Sequence, residues 1–225
     1  SFIPYIFTKD ELHKIFQAAD NIPKRNFTPL AHLIMPVLFR MLYGCGLRIS
    51  EALSLRVCDV NLKDGILTIK KSKFDKSRLV PMSSSLTDAC REYSSKALLI
   101  SKESEFFFPA PDKGMYSRHS IGWRFRTLLW QSNISHGGRG KGPRMHDLRH
   151  TFAVHCLNQW VSEGKDIYCA LPVLSTYLGH CTISETQTYL RLTADIYPDV
   201  VATVEIKFGG VFPDTIEVLP EVNRL

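Results

Sequence analysis

The chain has 225 residues, 44% of them hydrophobic, which is enough to bury one substantial core and a small annex without disulfides or a structural metal. Lys and Arg number 28 against 22 Asp and Glu, a formal net charge of +6, which fits a polyanionic partner without establishing one. Six cysteines, at 45, 58, 90, 156, 169 and 181, are scattered without the close pairing of metal sites and read as the reduced thiols of a reducing cytosol.

Thr8 followed by Glu11 forms a capping box, and Leu12, Ile15, Phe16 and Ala19 recur at helical spacing, so a first amphipathic helix is expected to run to Asp20. A second is expected over 29–44, ended by Gly44 and Gly46, and a short one over 50–55 with Arg48 at its entrance. The most apolar stretch, 30–47, contains His32, Pro36 and Arg40, a poor bilayer span and a reasonable buried helix. The opening residues do not read as a signal peptide, and the start at Ser1 reads as a domain cut from something longer.

Segments 65–71 and 78–82 are rich in β-formers around the polar link 72–77, which reads as a hairpin with Lys73 at its tip. Helical patterns follow near 83–99, 117–132, 146–160, 166–178 and 184–192. The expected class is therefore mainly α with a small antiparallel β-sheet (α+β). Within 136–144, four glycines accompany Arg139, Lys141 and Arg144, a surface loop able to approach a phosphate backbone closely. From Pro198 a helix to Phe208 is expected, then Gly209-Gly210 and an extended acidic-apolar stretch.

Six residues carry chemistry in order: Arg48 in G-L-R-I-S-E, Lys73, His146 and Arg149 in H-D-L-R-H, His180 in L-G-H, and Tyr189 nine residues beyond. Together they suit metal-free phosphoryl transfer, with a phenol attacking a phosphodiester whose growing charge is held by fixed cations. Each has a plainer reading. Arg48 is placed to pair with Glu51 on a helix surface. Lys73 has Lys70, Lys71 and Lys76 as rivals, and His150 lies one turn from His146, which is favoured for its place near a helix entrance. Tyr177 and Tyr197 flank Tyr189, and tyrosines on such helices mostly pack. No carboxylate cluster, H-E-x-x-H, G-x-S-x-G or G-x-x-x-x-G-K-[ST] pattern accompanies these groups.

Taken in order, G-L-R-I-S-E-A-L from Gly46, S-K-F-D-K-S-R-L-V-P from Ser72, H-D-L-R-H-T-F-A from His146, and L-G-H with E-T-Q-T-Y between Leu178 and Tyr189 resemble the catalytic domain of the tyrosine recombinase (phage-type integrase) family. The resemblance covers 8–192. It implies that family's catalytic-domain fold over 1–197 and a tail, 198–225, that contacts a neighbouring subunit. It also implies an N-terminal core-binding domain outside this chain. Tyr189 would attack the scissile phosphate to leave a 3′-phosphotyrosine and a free 5′ hydroxyl. Arg48 and Arg149 would hold the phosphate, Lys73 would act as general acid, His146 would help proton transfer, and His180 would hydrogen-bond a phosphate oxygen. No metal or other cofactor is implied. The implied partner is double-stranded DNA, with Lys76, Arg139, Lys141 and Arg144 as backbone contacts. Four protomers would assemble on paired sites from a monomer or weak dimer, away from any membrane, in the cytoplasm of a prokaryotic cell or for its mobile element. A type IB topoisomerase and a catalytically silent DNA-binding module remain as alternatives.

Overall fold

A computed structural model of the chain describes residues 4–70, 77–100, 104–138 and 142–196. Helix α1 (Lys9–Asp20) starts as its sequence directs: Thr8 Oγ1 accepts the Glu11 amide at 3.2 Å, and the Thr8 amide donates to Glu11 Oε2 at 2.8 Å. Its Leu12, Ile15 and Ala19 are buried against α2 (Ala31–Gly44). Helix α2 is apolar nearly all round and buries Ile34, Met35, Leu38, Phe39, Met41 and Leu42, so it forms the axis of the main core. The short α3 (Ile49–Leu53) follows a corner at Gly46.

Three strands, β1 (Val60–Asn61), β2 (Ile66–Ile69) and β3 (Arg78–Pro81), make an antiparallel sheet in that order, with Leu67 opposite Val80 and Thr68 opposite Leu79. Leu67, Ile69 and Val80 face the core while Leu79 faces solvent, the two-residue alternation expected of the hairpin. Strand β1 had no sequence signal, because two residues cannot show alternation and pairing to β2 alone creates it.

Helix α4 (Ser84–Tyr93) gives way to a π-helical turn, Ser94–Leu98, where one unbroken helix was expected. There the buried Tyr93 donates its hydroxyl to the Phe107 carbonyl at 2.6 Å and packs on Phe107 and Phe108. Helix α5 (Arg118–Gln131) is capped by Ser117 and buries Ile121, Phe125, Leu128 and Leu129. Helix α6 (Met145–Ser162) spans two apolar clusters: Leu148 belongs to the main core, whereas Ala153, Val154 and Leu157 join a smaller one. That second cluster is completed by α7 (Ile167–Leu178) and α8 (Ile183–Ile196) through Leu171, Leu174, Leu178, Tyr189 and Leu192. It is the annex that composition allowed.

Helix α8 extends past the expected 184–192 because its polar Thr193, which breaks the apolar pattern, is buried with its hydroxyl donated back to the Tyr189 carbonyl at 2.7 Å. All six cysteines are free. Among the described residues no helix is long and apolar enough to cross a membrane. The hairpin link 71–76, Arg139 to Lys141 and the tail from Tyr197 lie outside the described residues, and with them the expected helix to Phe208.

Leu38 is fully buried at the centre of α2. Leu38→Ala is expected to lower the unfolding free energy by about 3 kcal/mol, through lost transfer energy and the cavity left behind, as read from the urea midpoint at unchanged slope.

Candidate active site

The site forms where α3, the end of α7 and the starts of α6 and α8 converge between the two apolar clusters. Gly46 turns the chain with φ +57°, and a Cβ there would lie 2.6 Å from Phe152 Cδ1 and 2.8 Å from Leu178 Cδ2. Only glycine fits that corner. Its carbonyl accepts Arg149 Nη1 at 2.7 Å, while Arg149 Nη2 donates to the Leu178 carbonyl at 2.9 Å. One guanidinium, 1% exposed, thus ties the corner before Arg48 to the corner before His180. Burial, then the charge of Arg48, pushes its pKa down to about 10, and it stays cationic at neutral pH.

Arg48 makes the pair with Glu51, but on a buried carboxylate and not on an open helix surface. Its Nη1 lies 3.1 Å from Glu51 Oε1, and both Nη atoms also reach the Gly179 carbonyl at 3.4 Å. The side chain remains 23% exposed. Glu51 is held bidentately by a residue that sequence reasoning passed over: Arg78 on β3 donates Nη1 to Oε1 at 2.8 Å and Nη2 to Oε2 at 2.9 Å. Arg78 Nε donates to the Tyr177 carbonyl at 2.9 Å, and its guanidinium lies against Gly179. Burial works to raise the Glu51 carboxyl, but hydrogen bonds and charge from Arg78, with the Arg48 amide, outweigh it and hold it below its ordinary value. In sequence Arg78 was only the first residue of a β-rich segment, and no local signal tied it to Glu51.

His180 follows Gly179, whose φ of +70° ends α7. Its Nδ1 lies 2.8 Å from the hydroxyl of buried Thr186, and its ring stacks on that of Tyr189, centroids 6.0 Å apart. Tyr189 is 4% exposed. Its hydroxyl lies 3.0 Å from His150 Nδ1, within reach of the Arg149 charge. Burial raises the phenol pKa, and the Arg149 and Arg48 charges offset part of that rise. His146 packs edge-to-face on His150, centroids 4.7 Å apart.

Burial and the surrounding arginines depress all three imidazoles: His146 and His180 to about 4, by burial and then Arg149 and Arg48, and His150 to about 3, by burial and then His146 and Arg149. The ring of His146 keeps an exposed surface, so for it the arginine charges are the firmer part of the cause. At neutral pH the site therefore presents neutral imidazoles between fixed guanidiniums.

The structure brings together Arg48, His146, Arg149, His180 and Tyr189, from four elements. Lys73 and Lys76 lie outside the described residues. Lys70, a rival for Lys73, forms an ion pair with Asp59. Arg144 is exposed at the start of α6, its amide donating to Asp147 Oδ2 at 2.7 Å, while Arg139 and Lys141 lie outside the described residues. Among those residues no group of three or more His, Cys, Asp or Glu is placed to hold a metal ion. The apolar groove of Ile22, Phe27, Trp123 and Thr127 contains none of the site residues.

Residues 6–195 match the family model described as the phage integrase family, and the chain belongs to that family. It is 32% identical over 206 residues to y4rB of Sinorhizobium fredii, covering 90% of this chain and 66% of that protein. It is also 32% identical over 191 residues to the tyrosine recombinase XerD of Corynebacterium glutamicum, covering 84% and 58%. The chain thus spans less than two thirds of the length of these relatives. In fold it resembles the crystal structure of XerA recombinase, with a TM-score of 0.68 and 23% identity over 96% of this chain and 66% of that one. It also resembles the catalytic domain of bacteriophage HP1 integrase, at TM-score 0.57 and 23% identity over 93% and 97%.

Unfolded histidines titrate near about 6.5, and those of the site near 4, 3 and 4. Between those values the unfolded chain binds the extra protons, so stability falls as pH falls. The melting temperature is expected to decline from pH 7 to pH 4, and less steeply in His150→Asn, as followed by circular dichroism.

Proposed function

We propose that this chain is the catalytic domain of a site-specific DNA recombinase or integrase that cuts and rejoins strands through Tyr189, without metal or ATP. The observation that carries the reading is the buried Tyr189 hydroxyl, held at His150 within the field of the Arg149 and Arg48 charges. A phenol so placed has one evident electrophile to meet: an anion drawn to the same guanidiniums.

The Tyr189 oxygen attacks phosphorus, the bond from phosphorus to the 5′ oxygen breaks, and a 3′-phosphotyrosine forms. Arg48, Arg149 and His180 hold the non-bridging oxygens as charge develops, planar guanidiniums matching them bidentately. Lys73 protonates the departing 5′ oxygen, and the phenol proton leaves through the neighbouring histidines, His146 among them. Because a phenol of pKa about 10 is a fair leaving group, a 5′ hydroxyl can reverse the step and rejoin the strand.

Double-stranded DNA is the partner this chemistry requires, and Arg144, with Lys76, Arg139 and Lys141, is positioned in sequence to meet its backbone. Four protomers on two paired sites, joined through 198–225, are the assembly, in the cytoplasm of a prokaryotic cell or for its mobile element. A cluster of guanidiniums with exposed Arg144 in the same region suits a polyanionic backbone.

On a nicked duplex that traps the intermediate, Tyr189→Phe is expected to lose the covalent adduct while retaining salt-sensitive binding. An adduct formed by the variant removes Tyr189 as nucleophile, and efficient relaxation of plasmids of any sequence favours a topoisomerase. Arg48→Lys, which keeps charge but loses the planar fork, is expected to slow single-turnover adduct formation on the order of 100-fold.

A further inference from the structure

The pair of histidines in H-D-L-R-H divides its work in a way the motif does not reveal. His146 and His150 are one helical turn apart on α6, yet it is His150 whose Nδ1 lies 3.0 Å from the Tyr189 hydroxyl, while His146 packs against the His150 ring and keeps an exposed surface. We infer that His150 is a positioning residue for the nucleophile, accepting the Tyr189 hydroxyl at Nδ1 and holding the phenol oxygen beside the phosphate-binding arginines. This rests on the reading of Tyr189 as nucleophile.

The contacts around the phenol leave it little freedom. The face of the Tyr189 ring stacks on His180, at a 19° interplanar angle, and His180 is itself anchored to buried Thr186. The His150 ring meets Tyr189 at 5.6 Å and 52°. A hydroxyl has one proton to give and lone pairs that accept. Giving the proton to His150 Nδ1 leaves the oxygen lone pairs to the field of the Arg149 cation. The His150 contact and the His180 stack together fix the direction of the phenol oxygen.

This assignment needs the His150 proton on Nε2, so that Nδ1 accepts. Burial, and then His146, Arg149, Arg144 and His180 around the ring, oppose a second proton there, so the acceptor nitrogen stays open. His146, facing outward, is free of this duty and remains available to the DNA side of the site.

The test offers the full chain duplexes of randomised sequence carrying a 5′-bridging phosphorothiolate, whose sulfur departs without needing a proton, and follows the covalent adduct on gels. His150→Phe keeps a ring but loses the acceptor, whereas His150→Asn restores an acceptor near Nδ1. The expected result is adduct formation slowed on the order of 100-fold by His150→Phe, with recovery of most of that rate in His150→Asn and unchanged DNA binding in both. Sulfur is expected to rescue Lys73→Ala but not His150→Phe, separating positioning from leaving-group protonation. His150→Phe reacting as fast as the wild type overturns the inference while leaving Tyr189 as nucleophile. If the wild type and Tyr189→Phe behave alike, the nucleophile reading fails and the inference with it. Imidazole ¹⁵N spectra provide a readout without DNA and without altering His150: the His150 Nδ1 resonance should move in Tyr189→Phe, and an unmoved resonance overturns the contact.

Discussion

Everything at the site depends on the guanidinium of Arg149. Taking such a charge out of water costs several kcal/mol unless its donors are satisfied, and Arg149 is satisfied by two main-chain carbonyls, those of Gly46 and Leu178. Those carbonyls belong to the two turns that deliver Arg48 and His180, so the buried cation is also the crosslink that sets the spacing of its neighbours. Neutral carbonyls complete its hydrogen bonds without cancelling its charge. The result is a fixed positive centre already desolvated on the protein side, the kind of preorganised group that stabilises charge developing in a transition state.

Around it the charges are deliberately unequal in number. Glu51 carries Arg48 and Arg78 together, two guanidiniums on one buried carboxylate, with Arg149 behind them. The carboxylate gives the arginines rigidity, and the excess positive charge gives the site its appetite for an anion. Burial, and then the same excess, keeps the three imidazoles neutral, which suits them to accept or share hydrogen bonds rather than to add further repulsion. Arg78 also ties the hairpin base to the turn after α7, and Tyr177 repeats that tie by donating its hydroxyl to the Pro81 carbonyl at 2.9 Å. The hairpin that leads to Lys73 is thereby anchored to the turn that carries His180.

Much of this was legible in the chain. Helices with a single apolar stripe or a capping residue, such as α1 and α5, declared themselves, and so did the hairpin strands through their alternation. The discrepancies share a cause: β1 exists only by pairing, the π-helical turn after α4 accommodates Tyr93 against Phe107 and Phe108, and α8 continues through a threonine whose hydroxyl is satisfied by its own helix. At the site, the motif residues were visible as a series, whereas Arg78, Glu51 and His150 were not ranked among them. Arg78 was one residue of a β-rich segment, Glu51 looked like a surface partner, and His150 like the spare of a pair.

Sequence by itself determined the element types, the apolar faces and the order of the reactive side chains, because periodicity, capping and turn chemistry act over a few residues. Only the tertiary structure decided which imidazole meets the phenol, which arginine clamps the buried carboxylate, and which carbonyls hold Arg149. Those choices are contacts between segments far apart along the chain, set by how α6 packs across two apolar clusters and by the close approach that Gly46 permits. No local pattern encodes them, since a donor chooses its acceptor only after the core has placed both.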